Sequence, residues 1–165
     1  MRVTFIATTL IATAACAAQR ESRAAGYPRV YEYTYEFNTP SLVENHYIVL
    51  DSAGGAIRGW YFGTSDDFDS GREGYLPGFF VAPMEGLRIS GDAISFALRP
   101  RELFASPVPL RYRDSAAMPR ELLQKWTGPA LQPDRRSYSG AAAVDRITLD
   151  VDGKPRVFVR VERGM

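Results

Sequence analysis

Apolar and polar residues alternate with period two along several stretches of the chain, the pattern of a strand with one buried face. Ile94, Phe96 and Leu98 alternate with Ala93, Ser95 and Ala97, and Val157, Val159 and Val161 with Arg156, Arg160 and Glu162. Shorter runs of the same kind cover residues 31–37, 47–50, 57–62, 87–90 and 145–151. Together they predict about seven strands. Turn residues test this alternation, because residues opposite one another in a hairpin share a face and a slip of one sets apolar against polar. A two-residue turn at Gly91-Asp92 pairs Ile89 with Ile94 and Leu87 with Phe96, which keeps one apolar face. In the last hairpin a two-residue turn at Asp152-Gly153 would set Leu149 against Arg156. A three-residue loop, Val151-Asp152-Gly153 with Gly153 left-handed, pairs Ile147 with Val157 and is the predicted form.

One short helix is predicted between Met118 and Thr127, with Pro119 in its first turn, Leu122, Leu123 and Trp126 on one side, and Gly128-Pro129 ending it. Proline-rich loops over residues 100–109 and 129–137 flank it. Hairpin-connected strands with one short helix predict a mainly β fold, a small antiparallel meander barrel whose closure removes sheet edges. A two-layer β-sandwich is the alternative.

The ends of the chain add an address. Met1-Arg2 precedes an uncharged apolar run over residues 3–15 that ends in Thr13-Ala14-Ala15, immediately before Cys16. Residues 1–15 read as an export signal; a membrane-spanning helix needs about twenty apolar residues. Residues 16–26 lack large apolar side chains and read as a tether, with a span of roughly 17–19 Å for about ten flexible residues. Residues 27–165 are then a single β-barrel domain, long enough to bury a core. Cys16 is the only cysteine, which excludes an intramolecular disulfide. The net charge of +1 gives no steering toward nucleic acid.

The segment ending at Cys16 resembles a bacterial lipobox, although Thr13 stands where that family usually has a large aliphatic residue. The resemblance implies a diacylglycerol on the Cys16 sulfur and a membrane anchor. With Ala17 rather than aspartate following, it implies an outer-membrane lipoprotein facing the periplasm. Ordinary cleavage after Ala17 or Ala18, giving a soluble periplasmic or secreted protein, is the alternative. The domain resembles the lipocalin and calycin barrels through Gly59-Trp60 on an early strand and Arg160 or Arg163 on the last. In that family a Gly-x-Trp motif packs its indole against an arginine from the end of the chain; here the glycine and tryptophan are adjacent.

Chemistry-bearing residues are few. His46 is the sole histidine, no metal-ligand spacing accompanies it, and its place at a strand edge near Glu44 and Asp51 predicts a solvated side chain. No cofactor or metal is implied. The stretch from Gly63 to Phe80 has no periodicity, and long irregular loops on rigid scaffolds are where binding sits. Its aspartates, Asp66, Asp67 and Asp69, do not fit the EF-hand pattern and predict an acidic solvated loop braced by Arg72. The aromatics Tyr61, Phe62, Phe68, Tyr75, Phe79 and Phe80 either line a barrel mouth or fill a core. The candidate binding loop is Trp60, Tyr61, Asp66, Asp67, Asp69, Arg72, Tyr75 and Phe80. The expected function is a non-enzymatic envelope binding module for a small apolar or aromatic ligand or a protein partner. One alternative is an inhibitor similar to the membrane-bound lysozyme inhibitors, whose Ser-Gly-x-x-Tyr motif is not reproduced at Ser70-Gly71 or Ser139-Gly140. Another is a hydrolase using paired carboxylates such as Asp66 and Glu73.

Overall fold

The computed structural model describes residues 26–36, 44–68, 77–114, 117–122, 124–128 and 134–162. The export segment, Cys16, residues 17–25 of the tether, and Asp69, Arg72, Glu73 and Tyr75 lie outside the described residues. Among the described residues, no helix is long and apolar enough to cross a membrane.

Nine strands carry the fold: β1 (Arg29–Tyr33), β2 (His46–Ala53), β3 (Ala56–Thr64), β4 (Phe79–Pro83), β5 (Glu85–Ser90), β6 (Ala93–Leu98), β7 (Arg136–Ala142), β8 (Arg146–Val151) and β9 (Lys154–Val161). They form one antiparallel sheet in the order β4-β3-β2-β1-β9-β8-β7-β6-β5. The first strand joins the two halves, with Val30 opposite Val49 of β2 on one side and Val161 of β9 on the other. The two terminal strands of the sheet, β4 and β5, follow one another in sequence with Met84 alone between them. The sheet is therefore a nearly closed up-and-down barrel, the predicted class. Its antiparallel meander places the long connections β1–β2, β3–β4 and β6–β7 at one end, together with the β8–β9 turn. The other end carries the tight turns at Gly54-Gly55 and Gly91-Asp92 and the start of β1.

Two hydrophobic layers result. Inside the barrel, Tyr31, Ile48, Tyr61, Phe80, Phe96, Tyr138, Leu149 and Phe158 are all buried in one cluster. Tyr138 stacks on both Tyr61 and Phe96 at centroid distances of 6.0 and 5.3 Å, so the lumen is filled by the protein's own rings. Outside, the β6–β7 segment crosses the sheet, and its Phe104, Val108 and Met118 bury against Val30, Val49 and Phe62. This second layer explains why β2 reads Ile48-Val49-Leu50 without alternation: both of its faces are covered.

The structure corrects four local expectations. In β9 the valines do not face inward: Val157 and Val159 are 42% and 55% exposed, whereas Phe158 is fully buried and Arg156 points into the barrel. The last hairpin accordingly takes the two-residue turn, pairing Leu149 with Arg156 and Ile147 with Phe158. Asp152 and Gly153 are both left-handed, at φ 52° and 77°, the conformation of a type I′ turn. The helix predicted over 118–127 is only a 3-10 turn, Arg120–Leu122. Beyond it, the Gln124 carbonyl accepts from Ala105 N–H and the Trp126 N–H donates to the Leu103 carbonyl, so this backbone is committed to cross-chain bonds. Finally, β4 begins inside the stretch read as irregular loop, with Phe79 and Phe80, and neither it nor β7 was foreseen. In the β5–β6 hairpin, Ile89 does oppose Ile94, but a register shift between Glu85 and Arg88 interrupts the ladder at Leu87.

Candidate functional site

Polar groups gather in two places, one inside the barrel at its loop end and one on its outer wall. The inner cluster centres on Asp67, which sits in a 3-10 turn, Ser65–Asp67, that continues β3. Arg156 of β9 binds its carboxylate with both terminal nitrogens, Nη1 to Oδ2 at 2.7 Å and Nη2 to Oδ1 at 3.0 Å. His46, the first residue of β2 and fully buried, places Nδ1 3.2 Å from Asp67 Oδ2 and 2.7 Å from the Tyr61 hydroxyl. Its Nε2 lies 3.2 Å from Thr64 Oγ1. The Tyr61 hydroxyl donates to Asp67 and accepts from Arg156. The Tyr35 hydroxyl accepts from Arg156 Nη2 at 3.3 Å, and the Arg156 guanidinium lies over the Tyr33 ring at 4.9 Å. Gly63 makes the space: a Cβ there would come within 2.7 Å of the Tyr61 ring and 3.3 Å of His46 Nδ1.

The electrostatics follow from this geometry. Burial by itself would raise the Asp67 carboxyl, but His46 and Arg156 in direct contact hold it well below the ordinary carboxylate range. Burial, reinforced by the Asp67 charge, pushes the Tyr61 and Tyr35 hydroxyls above their ordinary value. Burial would lower Arg156, yet its hydrogen bonds to Asp67 raise it further, so the pair stays ionised. Both ring nitrogens of His46 are engaged and neither His46 nor Tyr61 is exposed, which leaves a reactant no path to them. The cluster pins β2, β3 and β9 together. Among the described residues, no group of three or more His, Cys, Asp or Glu is arranged to hold a metal.

The outer site is a groove of about 620 Å³ beside β3, β4 and the segment that follows β6. Trp60, Val81, Pro83 and Phe104 supply its apolar walls. Three arginines, Arg99, Arg101 and Arg113, and three acids, Glu85, Glu102 and Asp114, surround them. The Arg113 guanidinium lies over the Trp60 indole at 5.0 Å and pairs with Asp51 at 3.7 Å, so the arginine on this indole comes from the β6–β7 segment.

The structure thus divides the predicted site residues. Trp60 faces the outer groove, while Tyr61 and Phe80 are buried inside the barrel with their rings stacked at 6.1 Å. Asp67 is not a solvated loop carboxylate but the buried partner of Arg156, and His46 is not solvated at a strand edge. Asp66, beside Asp67, is half-buried and stands close enough to Glu44 to help raise that carboxyl, after burial of Glu44 itself. Arg156, Arg99, Arg101, Glu102 and Arg113 were missed. For Arg156 a signal was present: Phe158 two residues on, sharing its face of the strand.

Fold and site together define a nearly closed antiparallel barrel with a satisfied ionic cluster at its loop end and a mixed-charge groove on its wall. No protein-family model matches the chain, and neither a curated protein nor a solved structure does so.

Proposed function

We propose that this chain is an exported envelope lipoprotein, anchored through Cys16 in the outer membrane, whose barrel is a non-catalytic binding module. The anchor reading rests on the lipobox-like residues before Cys16, and Cys16→Ser tests it: the protein should leave the membrane fraction and lose labelling by an acyl-chain probe. Unchanged fractionation and an unlabelled wild type would instead indicate a soluble exported protein. The binding reading differs from a ligand-filled calyx of the lipocalin type, because the lumen is packed with Tyr61, Phe80, Tyr138 and Phe158. The observation that carries it is the outer groove, whose volume of about 620 Å³ suits a ligand or a short segment of a partner and whose wall presents Trp60. A filled lumen also favours action through the surface on a protein partner, the mode an envelope-enzyme inhibitor would use. Since β1 starts at the tight-turn end, an anchored chain would turn its loop end away from the bilayer.

Anilinonaphthalene sulfonate, an aromatic anion suited to Trp60 beside arginines, is a direct probe of the groove. It should bind the folded wild type and accept excitation energy from tryptophan, and Trp60→Ala should abolish both signals. Equal binding by Trp60→Ala would place the binding surface elsewhere.

A further inference from the structure

The groove sits at the seam where the barrel fails to close, beside Pro83. The Phe79 N–H donates to the Phe104 carbonyl and the Phe104 N–H to the Phe79 carbonyl, both at 2.8 Å. Continuing that antiparallel register would place Val81 opposite Glu102 and Pro83 opposite Pro100. Pairing resumes at Glu85, opposite Ala97 and one residue out of that register, and returns to it with Arg88 opposite Ser95 and Ile89 opposite Ile94. Pro83 has no N–H to give toward the seam, so the ladder cannot run through it. The two chain segments part there, and the groove lies between Val81 and Pro83 on one side and Arg99, Arg101 and Glu102 on the other.

The backbone of β4 determines what the gap presents. Met84 N–H donates to the Gly59 carbonyl of β3, whereas the Phe79 backbone bonds away from β3, to Phe104. Backbone groups alternate sides along an antiparallel strand, so Val81 shares the direction of Phe79 and turns its N–H and C=O into the groove. This is a sheet edge set within an apolar wall.

We propose, building on the binding reading above, that the groove receives an extended peptide segment by strand addition at Val81. The ligand backbone bonds to the Val81 N–H and C=O, and an apolar side chain lies against Trp60 and Phe104. From Val81 to Glu85 the strand offers roughly 13 Å at about 3.3 Å per residue, which limits the segment to about four residues. Pro83 stops pairing from spreading, which makes the edge selective rather than a site of indiscriminate association. Three arginines balanced by three acids favour a peptide carrying both charges over a uniformly anionic polymer.

The test uses four acetylated, amidated tetrapeptides with valine at the second and fourth positions and glutamate or lysine at the first and third. At least one should bind the wild-type protein with Kd below about 1 mM. N-methylation of its backbone should weaken binding at least about tenfold, and Val81→Pro, shown folded by cooperative thermal unfolding, should do the same. Should Val81→Pro fail to fold, the N-methylated peptides test the same bonds on the wild-type protein. Sulfonate binding without peptide binding, or peptide binding indifferent to N-methylation, would overturn strand addition and leave the groove reading standing. Loss of both in folded wild type would overturn the two together.

Discussion

The inner cluster and the outer groove contain the same kinds of residue, arginine, carboxylate and aromatic ring, and differ in how deeply those groups are buried. Around Asp67 each partner answers another: two nitrogens of Arg156 on one carboxylate, Tyr61 between them, His46 bonded at both nitrogens. Such a network rigidifies the barrel where β2, β3 and β9 meet. At the groove, the sheet parts beside Val81 and the surrounding charges are largely exposed. Chemistry-bearing residue types alone therefore do not separate the two regions; the unpaired backbone beside Val81 does.

The largest expected effects fall on the inner cluster. Asp67→Ala and Arg156→Ala should each cost about 3–5 kcal/mol in urea unfolding, because each leaves the opposite charge buried and unpaired. Arg101→Ala, on the groove rim, should stay within about 0.5 kcal/mol. The double substitution Asp67→Leu with Arg156→Met should recover much of the loss, since an apolar pair of similar bulk needs no compensation. If the single changes are harmless, the cluster is not a pin and the contrast with the groove fails.

Truncating rings separates the two regions further. Phe80→Ala, inside the barrel, should cost about 3–5 kcal/mol. Trp60→Ala should cost less and be read mainly in lost binding, because Trp60 is only half-buried. Equal losses by thermal denaturation would mean that Trp60 is core.

Acid provides a graded version of the same test. The Asp67 carboxyl titrates lower in the folded protein than in the unfolded chain, where a carboxylate titrates near about 3.9. Its contribution is therefore fully present above about pH 4 and is lost as the pH falls through the unfolded and then the folded value. Stability measured from pH 6 down to pH 2 should fall less steeply in Asp67→Asn than in the wild type.

The smallest effect expected concerns the turn that delivers Arg156 to the interior. Gly153 is left-handed at φ 77°, so Gly153→Val should cost about 1–2 kcal/mol. A loss near zero would mean that the hairpin can re-register, which would carry Arg156 out of the barrel.

Much of the scaffold could be read from residue order. The Gly91-Asp92 turn, with isoleucines equally spaced on either side, specifies the pairing of Ile89 with Ile94. Period-two alternation located most strands and the barrel class. It failed where its premise failed. In β9 three valines outweighed a single phenylalanine, although the valines cover the outer wall and the inward face carries Arg156 and Phe158. A buried arginine is invisible to hydropathy unless its partner is known, and Asp67 lies 89 residues away in sequence. In β4, Phe79-Phe80-Val81-Ala82 is continuous rather than alternating because the β6–β7 segment covers its outer side. In β7, serine, glycine and alanine surround Tyr138 and leave no apolar period to detect. The groove lies where the ladder breaks beside Pro83 and the register shifts, which no local pattern reveals.

Native-state amide hydrogen exchange on the free protein tests the central contrast most directly. Phe79 and Met84 bond to Phe104 and Gly59, so their amides should exchange slowly. The Val81 amide, between them on the same strand but facing the seam, should exchange at least about a hundredfold faster. Protection of Val81 equal to that of its neighbours would show that the seam is closed, and would contradict the proposed strand addition at Val81.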